Sequence, residues 1–179
     1  MTAGPAARLF VAVWPPSEVA DALAALPRPV LPGLRWTTPD QWHVTLRFLG
    51  TVAVDDAVEA FGRIELGRPA VATLGPVVGR FGSRVLQVPV TGLEALAAAT
   101  VGATAALGKA PADRSFTGHL TLARVRRPGA VDLRPLTGAP VSGRWVVGEL
   151  TLVRSHTAAA GARYQVLAAR LLPPATAGA

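Results

Sequence analysis

The sequence predicts an α+β fold, built as one domain over residues 1–179 from two halves that share a core. Three observations predict it. Strand-like apolar runs are mixed with amphipathic helical segments, and two strand pairs look antiparallel, which favours α+β over a doubly wound parallel sheet. The order strand, helix, motif strand occurs before residue 50 and again, in looser form, between residues 70 and 125. No Ser/Gly-rich linker divides the chain into independent units.

The elements follow in order. Arg8 to Trp14 (RLFVAVW) is an apolar run of strand length, and Pro15-Pro16 stops it. Ser17 is expected to cap a helix through about Leu26, with Glu18 and Asp21 near its dipole-positive end. Pro27 to Gly33 is a proline-rich connection, Leu34 to Thr37 a short strand and Thr38-Pro39-Asp40 a turn. Gln41 to Gly50 is the first motif strand. An amphipathic helix opens near Asp55 and runs to about Leu66. Ala70 to Phe81 and Arg84 to Pro89 form a strand pair around Gly82-Ser83. Thr91 to Leu107, rich in alanine, is the longest helix. Ser115 to Val125 is the second motif strand, and Arg126 to Ala139 a loop. Gly143 to Ser155 and Ala162 to Leu172 make a last antiparallel pair, and the tail from Pro173 is expected to fray.

Composition narrows the function. Half the residues are apolar, enough for a sizeable core. Long apolar runs are broken by charge or proline, so no membrane-spanning helix is expected. Met1 to Arg8 lacks a basic stretch leading into an apolar one, so a cytoplasmic protein without a secretory signal is expected. The chain has no cysteine, which excludes disulfides, thiolate catalysis and Cys-based zinc sites. The net charge is +7, and all basic residues but Lys109 are arginines, a side chain suited to bidentate contact with phosphate.

The chemistry concentrates in one repeated string. His43-Val44-Thr45-Leu46 returns as His119-Leu120-Thr121-Leu122, and the chain has only 3 histidines. In a strand, alternate side chains share a face, so His43 and Thr45 point one way and His119 and Thr121 repeat the arrangement. Two imidazoles on opposite sides of a reacting group serve as general base and general acid near neutral pH. Phosphodiester cleavage needs both: the attacking hydroxyl loses a proton and the departing oxygen gains one. Threonine hydroxyls donate to the non-bridging oxygens, where charge accumulates. No G-x-x-x-x-G-K-[ST] loop is present for a nucleoside triphosphate, and Lys109 lies at a helix end, unlike the nucleophile of an ATP-dependent ligase. Three histidines and 11 carboxylates, not clustered, offer no dedicated metal cage, so no metal or other cofactor is expected.

The paired H-x-T-[apolar] motifs resemble those of the two-histidine (2H) phosphoesterases. RLFVAVWPP from Arg8 to Pro16, HVTLRFLG from His43 to Gly50, GHLTLAR from Gly118 to Arg124, and the stretch from Leu152 (LVRSH) through Gly161 to Tyr164 are similar to RNA 2′,3′-cyclic phosphodiesterases, also called 2′-5′ RNA ligase-like proteins. The resemblance covers nearly the whole chain. It implies a bilobal fold, with two pseudo-symmetric antiparallel-sheet lobes, helices outside and a central cleft. It further implies hydrolysis of terminal 2′,3′-cyclic phosphates on RNA to 2′-phosphates; some family members join or split 2′-5′ linkages without ATP. By position His43 is the proton donor to the leaving 3′ oxygen and His119 the base that activates water, although the pseudo-symmetry makes the labels nearly interchangeable. Thr45 and Thr121 hold the phosphate oxygens. Arg124 falls where the family often has a basic residue near the phosphate. Its strand parity differs from that of Thr121, so a twist or bulge must turn it inward. Phe10 and Phe48 fall on aromatic positions that flank a nucleobase, and Tyr164 joins them. Relatives often carry proline where this chain has Gly118, which suggests a more flexible entry to the strand. Trp42 is bulkier than the expected aliphatic residue. His156 lacks the motif and is assigned to a hairpin loop. Arg47 alternates with Leu46 and Phe48 and is a weaker candidate than Arg124.

The expected function is thus metal-independent hydrolysis of RNA 2′,3′-cyclic phosphate ends by a monomer. The alternatives are ATP-independent 2′-5′ ligation, hydrolysis of small cyclic nucleotides, and non-catalytic binding of RNA ends.

Overall fold

A computed structural model describes residues 4–111, 113–127, 129–158 and 161–174. The elements are β1 (Ala6–Val13), α1 (Ser17–Ala24), β2 (Leu34–Trp36), β3 (Val44–Ala53), α2 (Val54–Gly62), β4 (Val71–Leu74), β5 (Gly79–Phe81), β6 (Val85–Thr91), α3 (Glu94–Thr104), β7 (His119–Val125), β8 (Gly143–Val146), β9 (Glu149–Ala158) and β10 (Gly161–Leu171). Short 3-10 turns cover Pro39–Gln41 and Arg134–Leu136. The strand order is β10-β9-β1-β3-β7-β6-β4-β8, with β2 beside β7 and β5 beside β6. The named pairings are antiparallel. This is an α+β architecture whose two halves, β10-β9-β1-β3 and β7-β6-β4-β8 with β2 and β5, meet where β3 touches β7.

That seam is narrow: β3 and β7 share the pair Val44–Leu120. Both residues are fully buried, and they lie in a core with Leu9, Val11, Val13, Leu46, Leu86, Val88 and Leu122. These are the alternate residues of strands whose other side chains face away from the core, as a half-buried antiparallel sheet requires. The helices cross the seam. Helix α1, which follows β1 of the first half, packs on β8 of the second; α3, which precedes β7, packs on β3. Each half therefore closes the core of the other.

Several expected boundaries move. Ser17 is the first residue of α1 rather than its cap; Pro16 holds the cap position, where its fixed φ suits the entry. Helix α3 begins at Glu94, because Thr91 completes β6. Alanine-rich α3 also buries Thr100 and Thr104, whose hydroxyls donate to the Leu96 and Thr100 carbonyls one turn back. The expected strand Ala70–Phe81 breaks into β4 and β5. Gly75, at φ 111°, brings its backbone against the Val141 carbonyl, where an added Cβ would lie 2.2 Å away, and Pro76 follows. The expected strand Gly143–Ser155 also breaks, at Val147-Gly148. Its first piece pairs with β4 and its second with β10 and β1, so the two pieces stand at opposite sides of the sheet. In the tail, residues 175–179 lie outside the described residues. No helix among the described residues is long and apolar enough to cross a membrane.

Candidate active site

Antiparallel pairing brings the two motifs together in a crossed arrangement. With Val44 opposite Leu120, extending the register one residue each way sets His43 against Thr121 and Thr45 against His119. The four polar side chains share the face opposite the buried Val44 and Leu120, and all four are half-buried. A local two-fold axis thus passes through the Val44–Leu120 pair.

The two imidazoles are held alike. His43 Nδ1 lies 2.8 Å from the Gln41 carbonyl oxygen, and His119 Nδ1 lies 3.1 Å from that of Thr117. A carbonyl oxygen only accepts, so each ring carries its proton on Nδ1 and leaves Nε2 free for proton transfer. In both cases the anchor is the residue two before the histidine. His43 itself sits just ahead of β3, where Gln41 ends the preceding 3-10 turn.

The surroundings of the two rings differ. His43 stacks on Phe10 with ring centroids 4.8 Å apart, tilts on Trp14 at 5.2 Å and meets Tyr164 edge-on at 5.0 Å. The indole of Trp14 is fixed by donation to Thr151 Oγ1 at 2.9 Å, and that hydroxyl donates to the Ala12 carbonyl at 3.0 Å. His119 instead meets one ring, Phe81, edge-on at 4.6 Å. Desolvation among the aromatics pushes the His43 pKa down to about 4; the Gln41 carbonyl partly opposes this, and Arg124 and His119 add to it. His119 is lowered too, first by desolvation, against the Thr117 carbonyl, and further by Arg124 and Arg114. Both rings are therefore neutral at pH 7 in the unliganded protein.

A bulge follows each motif. On β7 the register with β6 slips at Leu122, so that Gln87 faces Thr121 and Leu86 faces Ala123. On β3 the register with β1 slips at Leu46, so that Ala12 faces Thr45 and Val11 faces Arg47. Each slip shifts strand parity by one residue. Arg124 returns to the face of Thr121, with its Nη2 3.5 Å from Thr121 Oγ1, and Phe48 returns to the face of Thr45. The parity problem at Arg124 is solved by this bulge. The same slip turns Arg47 into the interior. It is 6 % exposed and donates to the carbonyls of Phe48, Leu107 and Lys109, so it holds the loop after α3 and lies off the face that carries the histidines.

The remaining candidates separate. Phe10 is 4 % exposed and stacked on His43, which leaves no open face for a nucleobase; its place is behind the imidazole. Phe48 is half-buried, and the Arg8 guanidinium lies 4.5 Å from its ring centroid. Tyr164 is half-buried and meets Phe10 edge-on at 5.2 Å. His156 lies on β9, not in a loop. It is exposed and points away from Ser155 and Tyr164, toward Gln165 on the other face of the sheet. Gly118 is buried, and a Cβ there would lie 2.2 Å from the Val90 carbonyl oxygen, so close approach of β6 dictates the glycine, not flexibility. Trp42 is buried in the core, under the Arg28 guanidinium. Trp14, Phe81 and Gln87 also border the motifs, with no pattern in the sequence that marks them as a group. They come from segments remote in the chain from the motifs they border, Trp14 just after β1, Phe81 on β5 and Gln87 on β6, and only Trp14, beside the strand-ending Pro15-Pro16, carries a local signal. An apolar cavity of about 160 Å³ lies behind β7, lined by Leu26, Trp36, Leu86, Leu122 and Leu136 among others; no titratable side chain faces it, and the histidines are on the opposite side of the strand. Among the described residues, no three His, Asp or Glu side chains come together as metal ligands would.

Comparison with known proteins bears on the family and the fold. Residues 13–84 match the model of a family described as LigT like phosphoesterase. TT0787 of Thermus thermophilus is 31 % identical over 92 % of this chain and 97 % of its own, with a TM-score of 0.75. The chain belongs to the LigT-like phosphoesterase family. A structure described as a phosphoesterase is 28 % identical, with a TM-score of 0.74 over 95 % of this chain and 100 % of that one. E. coli LigT, solved in complex with 3′-AMP, is 27 % identical, with a TM-score of 0.71 over 95 % of this chain and 100 % of its own. Among curated proteins nothing matches. As a LigT-like 2H phosphoesterase, the chain has the fold of that family, and its two H-x-T-L motifs lie at β3 and β7, the middle of the strand order.

Proposed function

We propose that the protein hydrolyses the 2′,3′-cyclic phosphate of an RNA end to a 2′-phosphate, without a metal. The observation that carries this reading is the crossed pairing of His43 with Thr121 and Thr45 with His119, with both Nδ1–H groups tied back and both Nε2 atoms free. A phosphate between the motifs meets a proton-transfer group on each side and a hydroxyl from each strand. E. coli LigT has been solved with 3′-AMP and with phosphate, ligands of the required kind.

In this mechanism His119 Nε2 takes a proton from water as the water oxygen bonds to phosphorus. The P–O3′ bond breaks in line, and His43 Nε2–H gives its proton to O3′. The phosphate stays on O2′. Thr45 and Thr121 donate to the non-bridging oxygens, and the Arg124 guanidinium offsets their growing charge. Phe48 and Tyr164 flank the terminal base, while Phe10 and Trp14 hold the His43 ring. His43 must be protonated to act, and the anionic phosphate raises its depressed pKa on binding.

The test is incubation with an RNA ending in a 2′,3′-cyclic phosphate, with and without chelator, followed by identification of the hydroxyl that retains the phosphate. A 2′-phosphate formed equally in both samples is expected. His43→Ala and His119→Ala should each lose at least about 10²-fold in kcat while remaining folded by circular dichroism. Near-native turnover by either variant would overturn the mechanism.

A further inference from the structure

We propose that Thr37, held by Trp42, is a positioning residue for the phosphate site: its hydroxyl fixes the bulge after the second motif, and that bulge sets Arg124 beside Thr121. This rests on the reading above, in which a phosphate lies against Thr121 and Arg124.

Strand β2 ends at Trp36, which faces Ala123 across the strands. Thr37 is the next residue and lies against Leu122, its N–H donating to the Leu122 carbonyl at 2.8 Å. The Thr37 hydroxyl lies 2.8 Å from the carbonyl oxygens of both Thr121 and Leu122. In a regular strand consecutive carbonyls point to opposite edges, so one hydroxyl does not reach two of them. Here β6 skips Leu122, pairing Gln87 with Thr121 and Leu86 with Ala123, and the two carbonyls turn to the same edge. Thr37 Oγ1 brings a donor to the displaced carbonyls, which backbone groups in a folded chain require. Without the slip, Arg124 and Thr121 would project from opposite faces of β7. With it, Arg124 Nη2 stands 3.5 Å from Thr121 Oγ1.

Trp42 gives the hydroxyl its direction. Its Nε1–H donates to Thr37 Oγ1 at 3.0 Å, so the oxygen accepts there and its own proton goes to the β7 carbonyls, which only accept. Trp42 is 1 % exposed. Arg28 clamps the pair: its guanidinium lies 4.7 Å from the Trp42 ring centroid and donates to the Thr37 carbonyl at 3.2 Å. An aliphatic side chain at position 42 would fill the core and leave the hydroxyl free to rotate. The bulky residue before His43 thus has a polar task. It joins the first motif to the strand of the second, across a seam where β3 and β7 share the pair Val44–Leu120.

The test is a double-mutant cycle of Thr37→Val, which keeps the side-chain shape and removes the hydroxyl, with Arg124→Gln. Calorimetry with 2′-AMP reads the phosphate site without turnover. Thr37→Val is expected to weaken binding about fivefold with Arg124 in place and less than about twofold in the Arg124→Gln background. Thr37→Ser should bind as the unmodified protein does. Trp42→Phe, which keeps an aromatic ring and loses the N–H, should weaken binding in the same Arg124-dependent way, and it serves if Thr37→Val does not fold. NMR titration of the His119 ring needs no ligand. Desolvation holds its pKa low, and Arg124 and Arg114 lower it further. Thr37→Val should therefore raise the His119 pKa toward its value in Arg124→Gln, and Thr37→Ser should leave it in place. Equal losses of affinity with and without Arg124, or an unmoved His119 pKa in Thr37→Val, would overturn the positioning role, because a hydroxyl that only supports the fold does not act through Arg124. Failure of the unmodified protein to bind 2′-AMP would count against the phosphodiesterase reading, while the His119 titration would still decide whether Thr37 places Arg124.

Discussion

Arg124 acts on both histidines at once. It is exposed, it approaches Thr121 Oγ1, and its charge lowers the pKa of both His43 and His119. In the substrate complex the same charge meets the phosphate. Arg124→Gln should therefore have two separable effects. KM should rise about tenfold or more, since a hydrogen bond to a charged group contributes about 1.5–3 kcal/mol. Both limbs of the kcat/KM profile should move to higher pH, because removing a nearby cation makes each imidazole easier to protonate. A raised KM with unmoved limbs would restrict Arg124 to binding. In the unmodified protein both histidines are depressed, so the bell-shaped kcat/KM profile should peak below pH 6.5, the ordinary value for histidine. A maximum on the alkaline side would mean that the free protein's histidines are not the titrating pair.

At the scale of elements, the repeated unit extends past H-x-T-L. Each strand bulges directly after its threonine, and the bulge delivers the residue three beyond it to the histidine face: Phe48 in one half, Arg124 in the other. The axis is thus broken where an aromatic ring faces a guanidinium. Approach to the second motif depends on Gly118, whose backbone lies against Val90. Gly118→Ala should destabilise the protein by about 1–3 kcal/mol, as forced overpacking does. It should also lower kcat, because Thr117, the anchor of His119, is its neighbour. A lower urea midpoint together with reduced kcat checks this; an unchanged midpoint would contradict the close approach. How much was legible follows the same division. The motifs, the strands carrying them and the need for a bulge at Arg124 can be read locally, since parity and apolar runs are properties of neighbours. The breaks at Gly75-Pro76 and Val147-Gly148 could not be located from apolar pattern, because the flanking segments are strand-like on both sides and only pairing separates them. Phe10 reads as a base platform in the sequence because a strand aromatic has the same pattern whether it faces ligand or packs on His43. Phe81 and Gln87 depend on the β5–β6 hairpin folding beside β7, which no short segment reveals.

Across the whole molecule, the site and the core seam share one pair of residues. Val44 and Leu120 join the halves on the buried side, and His43 and His119 flank that joint on the opposite face. Protonating the histidines therefore acts on the seam that holds the halves together. In the unfolded chain His43 titrates near 6.5; in the folded chain burial holds it near 4. Between these values the unfolded state binds more protons, so unfolding free energy falls as pH falls. The stability is present above pH 6.5 and is lost as pH drops through about 4. The full shift corresponds to about 3 kcal/mol, and the ring's partial exposure reduces it. His119, also lowered, adds in the same direction. Carboxylates titrate in part of this window, so the comparison that isolates the effect is the unmodified protein against His43→Gln. Urea unfolding at pH 7 and pH 4 should show a larger acid-side loss in the unmodified protein, by about 1–3 kcal/mol. Equal losses would mean that His43 is accessible to water and titrates normally. A saturating phosphate monoester should shrink the difference, because an anion between the motifs favours the protonated ring and stabilises the folded state that binds it. A ligand effect of that sign would place the phosphate beside His43 independently of any measurement of turnover.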